Sequence, residues 1–189
     1  MNLNSINTNR LELVSIGTEK IEALLSGDKV RAERICGFQI QNEHMFSNSL
    51  LQMRLKQMQV NPEVQPWLLR AIVIKQSQIM CGHIGFHSAP APDDLQDLAV
   101  DGVEMGYAIG KDFRKEGYAK EAAIALIKWA FENHHQKCFI LSIAPENVAS
   151  LAIAHSMGFK EIGSHIDEED GLELYFERRL TNWPKEWII

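Results

Sequence analysis

Two basic side chains and a glycine stand where a long helix is predicted to begin. Arg114, Lys115 and Gly117 directly precede a segment in which small and apolar residues recur at helical spacing, from Ala119 to Ala130. The first N–H groups of a helix have no partner within the helix, and the helix dipole makes this end partly positive. We therefore predict an anion-binding site in this loop, with phosphate as the favoured anion.

A strand on each side is predicted to hold this helix in place. The segment from Val103 to Ile109 alternates its side chains with the period of a strand. After the helix, the nearly continuous apolar run Lys137–Ala144 is typical of a strand buried on both faces of a sheet. Strand, helix and strand in this order form a βαβ unit, so the strands at Val103 and Phe139 should be parallel.

The rest of the chain predicts one mixed domain. Further strands are predicted at Arg10–Ile16, Trp67–Ile74, Ile79–His87, Phe159–Ile166 and Leu172–Arg178, and helices at Glu19–Leu25, Lys29–Ile35, Glu43–Gln59 and after Asn147 to Met157. The fold class is α/β (α+β), with a mixed central sheet of about seven strands, mainly antiparallel, flanked by helices. The fourth and fifth strands form its one parallel pair. No repeat or linker divides the sequence, so residues 1–189 are expected to form a single domain with a core at 10–180 and a tail at 181–189.

Composition and charge argue against several classes of protein. No apolar run approaches the roughly 18 to 20 residues that a bilayer-spanning helix needs, and the first ten residues do not resemble a secretory signal. The formal net charge of −6 disfavours nonspecific binding to nucleic acid. Three widely spaced cysteines fit buried thiols in a reducing compartment better than disulfides or zinc. We expect a cytoplasmic protein with no metal and with no nucleic-acid or membrane partner.

Other side chains with chemical potential leave their interpretation open. His83 and His87 are predicted on one face of a strand and could bind a metal or relay protons, but solvated or core histidines fit the pattern better. Cys138 could be a nucleophile, but its buried strand and the lack of a placed base argue against this role. The acidic run Asp167–Asp170 is typical of a solvated hairpin loop. The loop Ser88–Val100 is interpreted in the same way, or as the edge of an acceptor pocket.

Three motifs in register establish a resemblance to a known family. Arg114-Lys115-Glu116-Gly117-Tyr118-Ala119 fits the pattern Arg/Gln-x-x-Gly-x-Gly/Ala. Glu104-Met105-Gly106-Tyr107 precedes it, and Asn147-x-x-Ser150 leading to Gly158-Phe159 follows it, in the expected order and at the expected spacing. With these motifs the chain resembles the GCN5-related N-acetyltransferases (GNAT), and within them the ribosomal-protein-alanine acetyltransferase-like branch.

The resemblance implies acetyl-CoA as the co-substrate. The residues that it assigns to cofactor binding lie on one strand, one loop and one helix start: Tyr107, Ala108, Ile109, Arg114, Lys115, Glu116, Gly117, Tyr118, Ala119, Asn147 and Ser150. The loop would hold the pyrophosphate, and the strand backbone would pair with the pantetheine arm once the strands at Val103 and Phe139 splay apart. Gly106 is a suitable place for a bulge that would help this. A nucleotide P-loop is excluded because no Gly-Lys-Ser/Thr follows Gly117.

The resemblance also implies direct transfer of the acetyl group to an amine. Glu104 is predicted to be the base, acting directly or through a water, with an orienting or structural carboxylate as the alternative. Many relatives place a tyrosine as the acid seven residues after the asparagine, where this chain has Ala154. His155 is the candidate to replace it, with Ser150, solvent or a thiolate stabilised by the helix as alternatives, although a buried core histidine fits the pattern better.

The acceptor is not specified by any motif. It could be a protein N-terminus or a small amine, and the resemblance alone favours the former. The alternative function is a non-catalytic acyl-CoA-binding sensor or scaffold, which is consistent with the missing tyrosine. The tail carries two tryptophans and two isoleucines, so it docks on its own domain or forms a homodimer.

Overall fold

The computed structural model describes residues 5–41, 45–167 and 171–187, without the side chains of Asp94 and Asp167. Parts of three predictions lie outside these residues: the helix start at Glu43, the acidic run after Asp167, and the two C-terminal isoleucines. Within the described ranges, no helix has both the length and the apolar content that crossing a lipid bilayer requires.

Eight strands and five α-helices make up most of the regular structure of the described residues. In order they are β1 (Ile6–Asn7), β2 (Leu11–Ser15), α1 (Thr18–Leu25), α2 (Lys29–Cys36), α3 (Asn48–Val60), β3 (Arg70–Ile74), β4 (Ile79–Phe86), β5 (Gly102–Ile109), α4 (Tyr118–His134), β6 (Cys138–Ile143), α5 (Val148–Ser156), β7 (Lys160–Asp167) and β8 (Gly171–Arg179). The strands form a mixed sheet of eight in the order β1-β2-β3-β4-β5-β6-β8-β7. The predicted α/β (α+β) class is therefore confirmed.

The predicted count of seven strands misses β1. This strand has two residues, which is too short for any alternation of side chains to show in the sequence. It pairs with β2 because the chain turns back at Thr8, whose N–H donates to the carbonyl of Leu11 at 2.9 Å. With β1 included, the parallel pair predicted as the fourth and fifth strands becomes β5 and β6.

One compact unit contains the described residues of 1–86 together with 107–126. In it β1, β2, β3 and β4 pair antiparallel in sequence order. Helices α1 to α3 bury residues such as Ile21 and Leu51 in a core shared with Leu69 and Val73. Helix α3 begins later than predicted because the hydroxyl of Ser47 accepts the N–H of Leu50 and caps the helix there.

The second unit contains 87–106 and the described residues of 127–188. Here β5 runs parallel to β6, as the βαβ pattern predicts, with Val103 opposite Phe139. Strands β6, β8 and β7 then pair antiparallel. Helix α5 begins where predicted, because the Asn147 side chain accepts the N–H of Ser150, and Gly158 follows it at φ +74°.

The C-terminal tail packs on this second unit. The Trp187 side chain is buried and lies 5.4 Å from Trp183, ring centre to ring centre. Trp183 in turn contacts Phe131 of α4. Both tryptophans thus find partners within the unit, so the tail gives no support to the predicted homodimer, which stays a prediction.

Candidate active site

The backbone of the loop before α4 is shaped to bind an anion. Lys115 and Gly117 both have left-handed conformations, with φ of +68° and +80°. The Gly117 carbonyl accepts the N–H of Glu121 at 3.1 Å, so Gly117 is the N-cap residue of α4. Tyr118 is the first residue of the helix, so its N–H has no acceptor one turn earlier within the helix. Successive N–H groups next to left-handed residues form a concave anion site, and the helix dipole adds positive potential.

The side chains of this loop are mostly in contact with solvent. Arg114, Lys115, Glu116 and Gly117 are exposed, while Tyr118 and Ala119 are half-buried. Arg114 is also tied to the preceding strand, because its Nε donates to the carbonyl of Ile109 at 3.1 Å. The predicted loop residues thus form one continuous segment from the end of β5 to the first turn of α4.

Arg10, the residue before β2, contacts this loop, and no sequence motif indicates the contact. Its Nη1 donates to the carbonyl of Glu116 at 2.9 Å, and its guanidinium lies 4.8 Å from the centre of the Tyr118 ring. Its Nε and Nη2 bind the carboxylate of Glu121 at 2.7 and 2.6 Å. More than one hundred residues separate these partners along the chain, so no local pattern could have indicated them.

Glu121 closes this network from the first turn of α4. Its carboxylate accepts the Thr8 hydroxyl at 2.5 Å and the Arg10 N–H at 3.2 Å. Burial acts to raise the pKa of Glu121, but the hydrogen bonds from Thr8 and Arg10 and the charge of Arg10 outweigh it, so the pKa lies below its ordinary value of 4.5. The folded chain therefore favours the charged carboxylate.

Replacing Glu121 with glutamine is expected to destabilise the chain by about 1 kcal/mol at neutral pH. Because the folded pKa is depressed, the stabilisation is fully present above 4.5 and is lost as the pH falls through the lower folded value. Urea unfolding of both proteins at pH 7 and at about pH 3 measures this difference. Glu116→Gln, an exposed change in the same loop, should match the wild type at both pH values. A Glu121→Gln deficit that persists unchanged at low pH would contradict this account.

Strand β5 leaves its neighbour β6 just before the predicted pantetheine segment. Their parallel pairing joins Gly102–Glu104 to Cys138–Ile140, whereas β5 continues to Ile109 and β6 to Ile143. Tyr107, Ala108 and Ile109 lie beyond the part of β5 that pairs with β6. This is the arrangement that the predicted splay requires, because the β5–β6 ladder ends before the segment that the resemblance assigns to the pantetheine arm.

Glu104 lies at the end of the paired part and has two polar neighbours. Its Oε1 accepts the Ser142 hydroxyl at 2.6 Å and lies 3.4 Å from Nδ1 of His87. The side chain of Glu104 is 12% exposed, against 44% for His87. A carboxylate that is largely buried, yet linked to a half-exposed imidazole, can exchange protons with solvent through it.

The sequence pattern favours a solvated or core histidine at position 87, and no motif points to Ser142. Ser142 is the one polar side chain within the apolar run of β6, and this break in the pattern was the available signal. Gly106, the predicted bulge site, also leaves room for His87: a Cβ there would lie 2.7 Å from Nε2 of His87. The missing side chain at Gly106 gives the imidazole its room.

His155, on α5, lies on the face of β6 and β8 opposite to Glu104. Its exposed ring meets Phe176 of β8 edge-on at 5.5 Å. Phe176 is paired with Leu141, and Ser142, the next residue of β6, holds Glu104. Neighbouring residues of a strand point to opposite faces. The structure therefore does not bring the two predicted catalytic residues together, and it shows His155 exposed instead of in the core.

Asn147 and Ser150 come together through the cap of α5. The Asn147 Oδ1 accepts the N–H of Ser150 at 3.2 Å, so the amide oxygen already has a structural function. Ala154, at the position of the family's tyrosine, is completely buried.

The cysteines are free and buried. Burial and a hydrogen bond to Glu177 raise the pKa of the Cys138 thiol to about 12, which makes it a poor nucleophile at neutral pH. Across the residues that the structure describes, no group of three or more histidine, cysteine or acidic side chains could hold a metal ion.

Comparisons with known proteins give the family. A model of the acetyltransferase (GNAT) domain matches residues 10–160. The uncharacterized N-acetyltransferase p20 of Bacillus licheniformis is 26% identical over 99 residues, which is 52% of each chain. The chain thus spans about half the length of the curated relatives that it matches.

Solved structures share the fold at low identity. The ribosomal-protein-S5-alanine acetyltransferase of Vibrio fischeri superposes with a TM-score of 0.64 and 13% identity, covering 96% of this chain and 99% of that one. The ribosomal L7/L12 α-N-protein acetyltransferase RimL, in complex with coenzyme A, gives 0.62 and 16%, covering 94% and 98%. The domain match covers β5, the loop before α4 and helix α5, and on this basis the chain belongs to the GNAT acetyltransferase family.

Proposed function

We propose that this protein transfers the acetyl group of acetyl-CoA to a primary amine. The observation that carries the proposal is the end of the β5–β6 pairing at Glu104, with β5 continuing past it through Tyr107–Ile109. A cofactor arm that pairs with β5 needs the β5–β6 ladder to end, and the reaction needs a base on the same strand. Glu104 lies three residues before Tyr107 on the same strand.

The loop before α4 is proposed to bind the pyrophosphate of the cofactor. The left-handed residues Lys115 and Gly117 and the helix start at Tyr118 supply N–H groups, and Arg114 and Lys115 supply positive charge. The solved structure of RimL contains coenzyme A, and that of the self-immunity acetyltransferase MccE contains acetyl-CoA. These similar proteins support the choice of cofactor.

Glu104 is proposed to act as the general base. The acceptor arrives as an ammonium group and loses a proton to the Glu104 carboxylate, directly or through a water. The neutral nitrogen then attacks the thioester carbonyl and loses its surplus proton to solvent, the carbon–sulfur bond breaks, and coenzyme A leaves as a thiolate. With Ala154 in place of a tyrosine and His155 on the opposite strand face, we propose that solvent protonates this thiolate.

The acceptor is proposed to be a protein N-terminal amine or a small primary amine. Two of the similar solved structures are named as acetyltransferases of ribosomal proteins, which supports the first class. The net charge of −6 is compatible with a cationic acceptor of either class.

A non-catalytic acyl-CoA-binding sensor is the second candidate. The buried Ala154 favours it, because a methyl group cannot donate a proton to the departing sulfur. Homodimerisation would suit a scaffold, but the docked tail leaves that prediction without structural support.

Release of free thiol from acetyl-CoA over an amine panel tests the proposal. The panel contains peptides with free N-termini, the same peptides with blocked N-termini, and small amines. We expect at least one class to accelerate thiol release, with acetylated amine formed in equal amount. If coenzyme A binds but every amine leaves thiol release at the background rate, the enzyme proposal fails and the sensor is favoured.

A further inference from the structure

We propose that His87 carries the proton that Glu104 takes from the acceptor amine out to solvent, while Ser142 holds Glu104 in place. This inference rests on the proposed acetyl transfer and adds a positioning and proton-carrying residue to it. His87 acts through Glu104 and is not itself required to touch the acceptor or the cofactor.

The Glu104 carboxylate has the surroundings of a group that needs such an outlet. Ser142 donates a hydrogen bond of 2.6 Å to Oε1, which fixes the rotamer of the carboxylate. With 12% of its side chain exposed, Glu104 has little direct access to water. A base that keeps its proton cannot act in the next cycle, so turnover requires a route for that proton.

His87 occupies that route. Its Nδ1 lies 3.4 Å from the same Oε1, and 44% of its side chain is exposed to solvent. Histidine is the side chain best suited to accept and release a proton near neutral pH. The imidazole therefore touches both the buried carboxylate and water.

Two further features fix the imidazole in this place. The His87 N–H donates to the carbonyl of Glu104 at 2.8 Å, which ties the two backbones together. On the other side, the ring fits over Gly106, where any Cβ would meet Nε2. The position of the His87 ring thus depends on the backbone of Glu104 and on the absence of a side chain at Gly106, both on β5.

The proton balance needs no reactant besides water: the acceptor nitrogen loses one proton to Glu104 before attack and one to water after it, and the departing thiolate takes one proton from water. The ammonium proton moves to the Glu104 carboxylate, and the resulting carboxylic acid passes it to Nδ1 of the neutral imidazole. The imidazolium then releases a proton from Nε2 to water, and exchange with solvent at the exposed ring restores the starting tautomer. Glu104 is a carboxylate again at the end of each cycle.

Kinetics of His87→Ala and His87→Asn test the relay. Asparagine can keep a hydrogen bond to Oε1 but cannot carry a proton. In dilute buffer we expect both variants to lose about tenfold or more in kcat, with the KM for acetyl-CoA unchanged. Added imidazole should restore kcat in His87→Ala, where the ring has left a space, and not in His87→Asn. The control His135→Asn, an exposed change on the same unit, should behave as wild type with or without imidazole.

The outcomes separate the relay from the proposed function. An active wild type with His87→Asn at full kcat overturns the relay alone, because a residue without acid–base chemistry would then suffice. Loss of kcat in His87→Ala that imidazole does not restore also overturns it in favour of a structural role. A wild type that acetylates no amine overturns the acetyl transfer and the relay with it.

Discussion

Replacing Glu104 with glutamine is expected to lower kcat by about 10²- to 10⁴-fold, the range in which a general base contributes to catalysis. Glutamine is nearly the same size and keeps an oxygen that can accept the Ser142 hydroxyl, whose bond to Oε1 is 2.6 Å in the wild type. It cannot take a proton from the amine. The KM for acetyl-CoA should therefore stay the same, and the pH profile of kcat/KM should shift, because the variant can use only acceptor amine that is already neutral in solution.

Steady-state thiol release measured across pH for both proteins tests this expectation. Glu161→Gln is the matched control, because it makes the same chemical change at an exposed carboxylate on β7 of the same unit. It should retain the wild-type kcat and pH profile. A Glu104→Gln protein with an unchanged profile would show that the carboxylate orients the substrate or supports the strand, which is the alternative role.

Replacing Gly117 with valine is expected to raise the Kd for acetyl-CoA about 5- to 150-fold. A Cβ at Gly117 would lie 3.5 Å from Nη2 of Arg10, an ordinary contact, so no clash forces the loop to move. The cost comes from φ of +80°, a conformation that disfavours a β-branched residue by about 1–3 kcal/mol. The loop should leave the anion-binding shape, and restoring that shape upon binding reduces affinity by the corresponding factor.

Gly27→Val provides a control with the same backbone strain at a distance from the loop in the sequence. Gly27 has φ of +73°, and a Cβ added there would meet no atom of the described residues within 4 Å. Both variants should lose similar stability in urea unfolding, but only Gly117→Val should lose affinity in calorimetric titration with acetyl-CoA. Equal affinities of Gly117→Val and wild type would contradict the assignment of this loop to the pyrophosphate.

The elements around the anion-binding loop were predictable because their signals are local. Helical spacing after Gly117, the apolar run of β6 and the cap at Asn147 each lie within one short segment, and the structure confirms the elements that they indicate. The parallel pairing of β5 with β6 followed from the order strand, helix, strand, since such crossovers have few alternatives. The start of α3 was less predictable, because the loose spacing of its methionines does not mark where the helix begins.

The surroundings of Glu104 were less predictable because they depend on contacts between distant segments. Glu104 stood out through its motif, but its neighbours His87 and Ser142 come from other parts of the chain. His155 looked suitable because it follows Ala154, yet the alternation of β6 and β8 side chains places it on the other face. A shift of one residue in the β6–β8 register would exchange the two faces of the strands. No motif in α5 indicates which face His155 meets.

By itself, the sequence determined the family, the fold class and the loop proposed to hold the cofactor, because each depends on residue types at fixed local spacing. Only the tertiary structure decided that Arg10 and Glu121 brace this loop, that the β5–β6 pairing ends at Glu104, and that Glu104 is linked to His87. These arrangements arise from the pairing register and from side chains that meet across long chain separations. The order of residues along the chain shows neither the register nor these contacts, because both exist only once the strands have paired.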